Sequence, residues 1–440
     1  MSCLVDYHVV IERHIQTAIR EALADTPVIL IIGARQTGKS TLVQTVRFGN
    51  AVQYFTLDDA PVLAAIKNDP AGFLSGLGDG LTILDEVQRA PELFLALKAQ
   101  VDRNRKPGRF ILTGSANVLL LPKIADSLAG RMEVLTLWPL SQGEMSEVRE
   151  GFIDAIFDSK IPALPKGKTE NRAQLIERIC LGGYPEIVAR PNPARRKAWF
   201  ESYQTTILQR DVRDLANIDD VSALPRLLAL LAARTGTLVN FAEISRSVGL
   251  PQSTLKRYQS LLEKTFLIRL LPAWSGNLGK RLIQTPKIYL NDTGLLASLL
   301  GATPNSLTGD APLLGPLLEN FVLAELQKQI GWSENKPRLF HWRTASNQEV
   351  DFVLEDDRGR LVGIEVKATA SLGANHLLGL RALAESAGKR FVRGVVLYTG
   401  DSVVPFAPNI HAMPVRALWD LGVLFRSSSA DLKAVFGTIP

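Results

Sequence analysis

Gly33-Ala-Arg-Gln-Thr-Gly38-Lys39-Ser40 constrains the chain more than any other stretch of its sequence. It follows the short apolar run Val28–Ile32 and precedes a stretch that reads as a helix starting near Lys39. Glycines at both ends let the backbone curl until successive N–H groups face one point, where the helix start adds its positive end. Such a loop holds phosphate. The cradle runs from Gly33 through Ala34, Arg35, Gln36, Thr37, Gly38, Lys39 and Ser40 to Thr41. Lys39 is expected to reach the β- and γ-phosphates and the Ser40 hydroxyl to ligate Mg²⁺, which makes ATP with Mg²⁺ the expected ligand pair.

Hydrolysis needs a second strand that delivers an acid to the metal. Leu81-Thr-Ile-Leu-Asp85-Glu86 is apolar and ends in two carboxylates. Asp85 is expected in the Mg²⁺ shell, and Glu86 is expected to polarise the attacking water as a catalytic base. An acid pair in the first turn of a helix would look the same. Further strands are expected at Val52–Leu57 and Phe110–Thr113, with helical stretches between. That alternation predicts an α/β domain over residues 1–140, a parallel sheet with helices on both faces. Residues 141–220 read as a helical lid and connector.

At 440 residues the chain is too long for one core, and 46% hydrophobic with 21% charged residues suits a folded protein. Cys3 and Cys180 alone exclude a disulfide framework or a cysteine zinc site. Asp6, Glu12 and Arg13 precede any apolar run, unlike a secretory signal, and no run approaches a membrane span. A cytoplasmic location with no membrane partner is expected. The five histidines, His8, His14, His341, His376 and His411, show no paired ligand spacing. Charge is uneven. Between Arg195 and Leu300 there are 15 Lys and Arg against 8 Asp and Glu, enough to account for the net +6 of the chain. A localised basic region points to a polyanion such as DNA, although a solvated surface has the same composition.

Within that region Leu227–Ala233, Phe241–Val248 and Ser253–Leu262 read as short helices, the last two separated by Gly249-Leu-Pro251. This is helix-turn-helix spacing, with Ser253 as a cap and Ser253, Lys256, Arg257 and Ser260 free to face a groove. Strands Leu267–Trp274 and Leu282–Leu290 would flank a wing carrying Lys280 and Arg281 near its tip. A winged helix over 221–292 is expected to contact DNA; the same fold also serves protein partners.

Residues 306–440 read as an α+β domain. Glu349-Val-Asp351-Phe-Val-Leu-Glu355 and Leu361-Val-Gly-Ile-Glu365-Val-Lys367 alternate as two strands of a hairpin closed by Asp356–Arg360. Symmetry about Arg358 pairs Leu354 with Val362, Phe352 with Ile364 and Val350 with Val366. It also sets Asp351 opposite Glu365, and Glu349 opposite Lys367. Facing carboxylates repel unless a cation sits between them, so Asp351 and Glu365 are candidate ligands for Mg²⁺ or Mn²⁺. Lys367 would orient or deprotonate a water there, a set suited to phosphodiester hydrolysis. A solvated hairpin face and a binding platform without cleavage are the alternatives.

Several motifs carry a family resemblance. The phosphate loop, the Asp85-Glu86 strand, Phe110-Ile-Leu-Thr113-Gly114-Ser115 and Leu128-Ala-Gly-Arg131 resemble AAA-superfamily ATPases of bacteria and archaea. Gly182-Gly-Tyr-Pro-Glu186, Lys287-Ile-Tyr-Leu-Asn-Asp292 and Glu319-Asn-Phe-Val322 resemble the branch whose carboxy-terminal half has no assigned function. The resemblance implies Thr113 or Ser115 as γ-phosphate sensor. It makes Arg131 a sensor or an arginine finger, the latter requiring a homo-oligomer; a surface ion pair would suit Arg131 equally. The terminal hairpin resembles the PD-(D/E)xK nuclease core, which implies a restriction-endonuclease-like fold with Glu319 as an additional metal acid. Gln348-Glu349 stands where the proline of that motif name would be.

Overall fold

Val28–Ile32 is apolar at every position and forms strand β1, buried along its length. In the computed structural model, which describes residues 10–45, 52–115, 128, 130–160, 163–165, 170–211, 222–309 and 311–421, β1 lies inside a five-stranded sheet. Its neighbours are β2 (Val52–Thr56), β3 (Leu81–Asp85), β4 (Phe110–Gly114) and β5 (Met132–Thr136), in the order β2-β3-β4-β1-β5. All pairs are parallel. Alternate residues of β1 enter different cores: Ile29 and Ile31 join Ile19, Leu42 and Ile111, while Val28 and Leu30 join Leu84, Phe94 and Leu97. Covered on both faces, the strands have no polar side, hence their unbroken apolar runs. Helices α1 (Gln16–Asp25), α2 (Lys39–Thr45), α3 (Ala60–Asn68), α4 (Pro70–Ser75) and α5 (Leu93–Arg103) belong to this domain. Residues 1–9 lie outside the described residues.

The described residues of the 141–220 segment form a series of helices. Helices α6 (Gln142–Met145) and α7 (Phe152–Phe157) leave the sheet and pack on the carboxy-terminal part. Helices α8 (Arg172–Leu181), α9 (Pro185–Val188) and α10 (Pro193–Thr206) follow; Tyr203 donates to the Arg35 carbonyl of the phosphate loop and Pro185 lies beside Gly38.

The basic middle has the expected order, α11 (Leu224–Ala232), α12 (Phe241–Val248) and α13 (Gln252–Lys264), then β6 (Ile268–Leu271) paired antiparallel with β7 (Lys287–Leu290). Gly249 ends α12 at φ +78, a left-handed cap that glycine adopts freely. Two local expectations fail. Ser253 does not cap α13, which begins at Gln252 after Pro251. Leu278–Ile283 is a helix, α14, and the second strand starts only at Lys287, immediately after Pro286, which lacks the N–H a ladder needs.

Helices α15 (Thr293–Leu299) and α16 (Pro304–Gly309) lead into the long α17 (Ala311–Ile330). Strands β8 (Arg338–Arg343), β9 (Glu349–Glu355) and β10 (Leu361–Lys367) follow, then α18 (Leu378–Ala387) and β11 (Phe391–Tyr398). β12 (Val404–Ala407), β13 (Ile410–Pro414) and α19 (Ala417–Asp420) complete a six-stranded mixed sheet, β12-β13-β11-β10-β9-β8. The β9–β10 register is the symmetric one, Leu354 on Val362 and Phe352 on Ile364. The ladder stops there. The Asp351 carboxylate accepts the Val366 N–H at 2.8 Å, replacing the expected Val350–Val366 pair with a side-chain bond. Residues 422–440 lie outside the described residues.

Candidate active sites

Because all five strands of the first sheet are parallel, their carboxy-terminal ends share one edge, where ligands bind in such sheets. The phosphate loop leaves β1 there. Gly33 is required by close approach, since a Cβ would lie 2.2 Å from the Leu137 carbonyl oxygen. Gln36 and Gly38 turn through positive φ. The Lys39 ammonium is buried in the loop and donates to the carbonyls of Gly33 (2.9 Å) and Ala34 (2.8 Å). Arg13 braces the loop from behind, donating to the Thr37 carbonyl at 2.8 Å and the Trp138 carbonyl at 2.6 Å. Ser40 follows half-buried, and Thr41 is exposed.

Strand β4 lies between β1 and β3, so its end inserts between the loop and the acids. Thr113 pairs with Ile31, and its hydroxyl donates to Asp85 Oδ1. Tyr54 donates to Asp85 Oδ2 at 2.7 Å; burial and that carboxylate push its phenol up to about 12, so it stays a donor. Hydroxyl donors thus aim both oxygens of a buried aspartate, as outer partners do for a metal ligand. With the Ser40 hydroxyl, the all-oxygen donor set fits Mg²⁺. Glu86 takes φ +61, and its N–H donates to Thr113 Oγ1 at 3.2 Å. Gln88, which the sequence reading did not single out, donates to both Glu86 Oε2 and Ser115 Oγ, the latter at 2.9 Å. The five side chains Asp85, Glu86, Gln88, Thr113 and Ser115 therefore form one network. Arg131 is not in it. Met132 pairs with Val28, so Arg131 lies at the opposite edge, ~16 Å of strand away, and Arg131 Nε donates to Asp102 Oδ1 at 2.5 Å. Its own chain's phosphate loop is out of reach from there, and the surface ion pair that the sequence also allowed is a contact it makes.

On the middle segment, Ser253, Lys256 and Arg257 are exposed on α13 and Ser260 is half-exposed, with Lys256 over the Phe241 ring at 5.4 Å. Arg281 turns inward instead. Its guanidinium bridges Glu355 at 2.6 and 2.9 Å, and that attraction helps make 278–283 a helix rather than a wing tip. Arg281 is thereby removed from the DNA-facing set. The Lys280 side chain lies outside the described ones.

The terminal acids converge at the junction of β7, α17 and the β9–β10 hairpin. Glu319 accepts from Tyr289 Oη at 2.5 Å and from Lys287 Nζ at 3.1 Å. Lys287 also lies 2.5 Å from Glu349 and 3.7 Å from Asp351. Lys367 bridges Glu365 at 2.6 Å, not Glu349 as the hairpin symmetry predicted. Burial, reinforced by Asp351, raises Glu319 to about 7 and Glu365 to about 8. Burial opposes charge on Lys287, yet Glu319, Asp351 and Glu349 together hold its ammonium above the ordinary lysine value. Glu365 Oε2 is buried without a hydrogen-bond partner. The donor chemistry suits a hard cation. The arrangement does not: among the described residues no three His, Cys, Asp or Glu side chains surround a common point, and Lys287 stands among the acids. Asn320, given no role from its motif, clamps β7 to α17 by accepting the Leu290 N–H and donating to its carbonyl, both at 2.9 Å.

Residues 25–146 match the family described as AAA domain, so the first sheet is a P-loop ATPase domain of the AAA type. Residues 172–306 and 314–418 match two domains of unknown function, DUF8612 and DUF4143. The chain is 32% identical over 425 residues to an uncharacterized protein of Mycobacterium tuberculosis, covering 96% of this chain and 87% of that one. It belongs to the same family. The match to the Mycobacterium bovis protein has the same extent, and a Haemophilus influenzae protein is 26% identical over 55% of each chain. Among solved structures, the Walker-type ATPase of Pyrococcus abyssi aligns with 66% of this chain and 96% of its own, at 16% identity and a TM-score of 0.43. Among the described residues no helix is long and apolar enough to cross a membrane.

Proposed function

We propose that this protein hydrolyses ATP to switch how it engages DNA, and that its terminal domain is a nuclease-like, metal-dependent acid centre. For the ATPase, the carrying observation is the network that joins Asp85 and Glu86 to Thr113 and Ser115 beside the phosphate loop. Lys39 would hold the β- and γ-phosphates, Ser40 and Asp85 the Mg²⁺. Glu86 would orient and deprotonate the attacking water, with Thr113 and Ser115 sensing the γ-phosphate. Arg131 would complete a neighbouring copy's site in a homo-oligomer.

The nuclease-like reading rests on element order. Helix α17, three antiparallel strands, helix α18 and a strand parallel to β10 bring Glu319, Asp351, Glu365 and Lys367 close enough to perturb one another. With Lys287 displaced from among them, Asp351 and Glu365, assisted by Glu319, would hold Mg²⁺ or Mn²⁺, which would supply a Lewis acid for a phosphodiester. Lys367 would position the water. DNA would be delivered by α13 through Ser253, Lys256, Arg257 and Ser260.

Supercoiled plasmid incubated with Mg²⁺ or Mn²⁺ tests this. Cutting that disappears in Asp351→Ala and Lys367→Ala supports the centre. Lys287 among the acids favours a second reading, in which the terminal domain is catalytically silent and the ATPase gates binding to DNA or protein; inertness in both metals would establish it. ATP turnover indifferent to added DNA would point to a protein partner instead.

A further inference from the structure

We propose that Lys287 is a resident counter-ion of the terminal acid centre, occupying from another domain the place a divalent cation would take. The ammonium contacts Glu319, Glu349 and Asp351 within 3.1, 2.5 and 3.7 Å, and Lys287 is 2% exposed. No other described residue brings a cation to all three. The acids come from α17 and β9, whereas Lys287 comes from β7, part of the middle segment that ends before α17 begins. The inference rests on the metal-centre reading given above and adds its regulation.

The placement of Lys287 is enforced. In a strand, residues two apart share a face, so Lys287 and Tyr289 both meet Glu319 while Asn320 grips the Leu290 backbone. Gly236 supplies the room: its φ is +76, and a Cβ there would stand 3.2 Å from Glu319 Oε2. A divalent ion held by Asp351 would sit within several ångströms of the ammonium, which is 3.7 Å from that carboxylate. At that range two positive charges repel strongly even with the screening of a partly wet site. Either Lys287 withdraws toward Glu349 and the ion enters, or Lys287 stays and the ion is excluded. Lys367 instead bridges Glu365, from the same strand. The device is a lysine-for-metal exchange, set by how tightly β7 is held against α17.

Manganese binding to the full-length protein, without nucleotide and read by Mn²⁺ EPR, tests the exchange independently of cleavage. Asp351→Asn defines which sites belong to the terminal centre. Lys287→Met is expected to tighten the Asp351-dependent site by about tenfold or more, as expected when a neighbouring like charge is removed. It should also make the melting temperature rise with Mn²⁺ far more than in the wild type. Equal, Asp351-dependent affinity in wild type and Lys287→Met would overturn the exchange while leaving the metal centre intact. If neither protein has an Asp351-dependent site, the metal centre itself fails, and the exchange with it. Should Lys287→Met not fold in metal-free buffer, refolding yield against Mn²⁺ concentration replaces the titration; rescue supports the exchange, and its absence at every concentration overturns it.

Discussion

Glu86 keeps φ at +61, a conformation that residues with side chains adopt uncommonly. Its carboxylate accepts from Gln88, which also donates to Ser115. Glu86→Gln is therefore expected to bind ATP normally and to turn over about 100-fold more slowly or worse, measured by phosphate release beside nucleotide titration. Retained turnover would remove Glu86 from the base role. At the terminal centre, Glu365 and Glu319 keep their protons up to about 8 and about 7 because they are buried beside Asp351. Free carboxyls lose theirs near ~4.3. A proton held more tightly by the fold stabilises it fully below that value, and the stabilisation is lost as pH rises through 7 and 8. In EDTA the melting temperature should fall between pH 5 and 8.5, and Glu365→Gln should flatten that fall; a flat wild-type profile would contradict it. The residues for nucleotide and acids were legible because their chemistry is written in short motifs. Gln88 was not, since nothing local distinguishes it from an ordinary polar position, and Lys287 and Asn320 lay within motifs that gave no hint of their partners.

Among the elements, α13 and α14 separate two kinds of cation. Lys256 and Arg257 are exposed on α13, whereas Arg281 on α14 is committed to the buried Glu355, which Arg338 also reaches at 2.9 Å. Lys256→Ala and Arg257→Ala should each weaken DNA binding and lower its salt slope by about one, with little change in melting temperature. Arg281→Ala should do the reverse: destabilise by about 3 kcal/mol, as when a buried charge loses its partner, and leave the salt slope alone. Direct DNA titrations and thermal melts distinguish them. If Arg281→Ala alone alters the salt slope, α13 is not the reading element. The hairpin β9–β10 was readable because a short loop fixes register and alternation fixes the faces. Its parting beyond Phe352 was not, because one side-chain carboxylate outcompetes the ladder for the Val366 N–H.

Across the whole molecule, side chains connect the phosphate loop to β7. The Arg35 carbonyl accepts from Tyr203 Oη at 3.3 Å, Tyr203 meets Tyr184 Oη at 2.9 Å, and the adjacent Gly183 N–H donates to Asp292 just beyond β7 at 2.7 Å. A second route leaves through Arg13 and Glu144, and at the same junction α17 bonds back through Glu325 to the Gln142 N–H and through Lys328 to the Leu140 carbonyl. Both end on elements that hold Lys287 or Glu319. A non-hydrolysable ATP analogue is accordingly expected to tighten Mn²⁺ binding at the Asp351-dependent site. Lys39→Ala should abolish that response and Tyr203→Phe should weaken it without loss of nucleotide affinity. An affinity that ignores the analogue would show the links to be structural only. By itself the sequence determined the parallel sheet, its phosphate loop and paired acids, the helix order of the middle and the terminal hairpin, because periodicity, turn residues and contiguous motifs act over a few residues. Tertiary structure alone decided that Arg131 faces away from its own nucleotide, that Arg281 is an internal brace, and that a lysine from β7 stands among the terminal acids. Those outcomes depend on which distant charges burial brings within a few ångströms, and no local pattern encodes that.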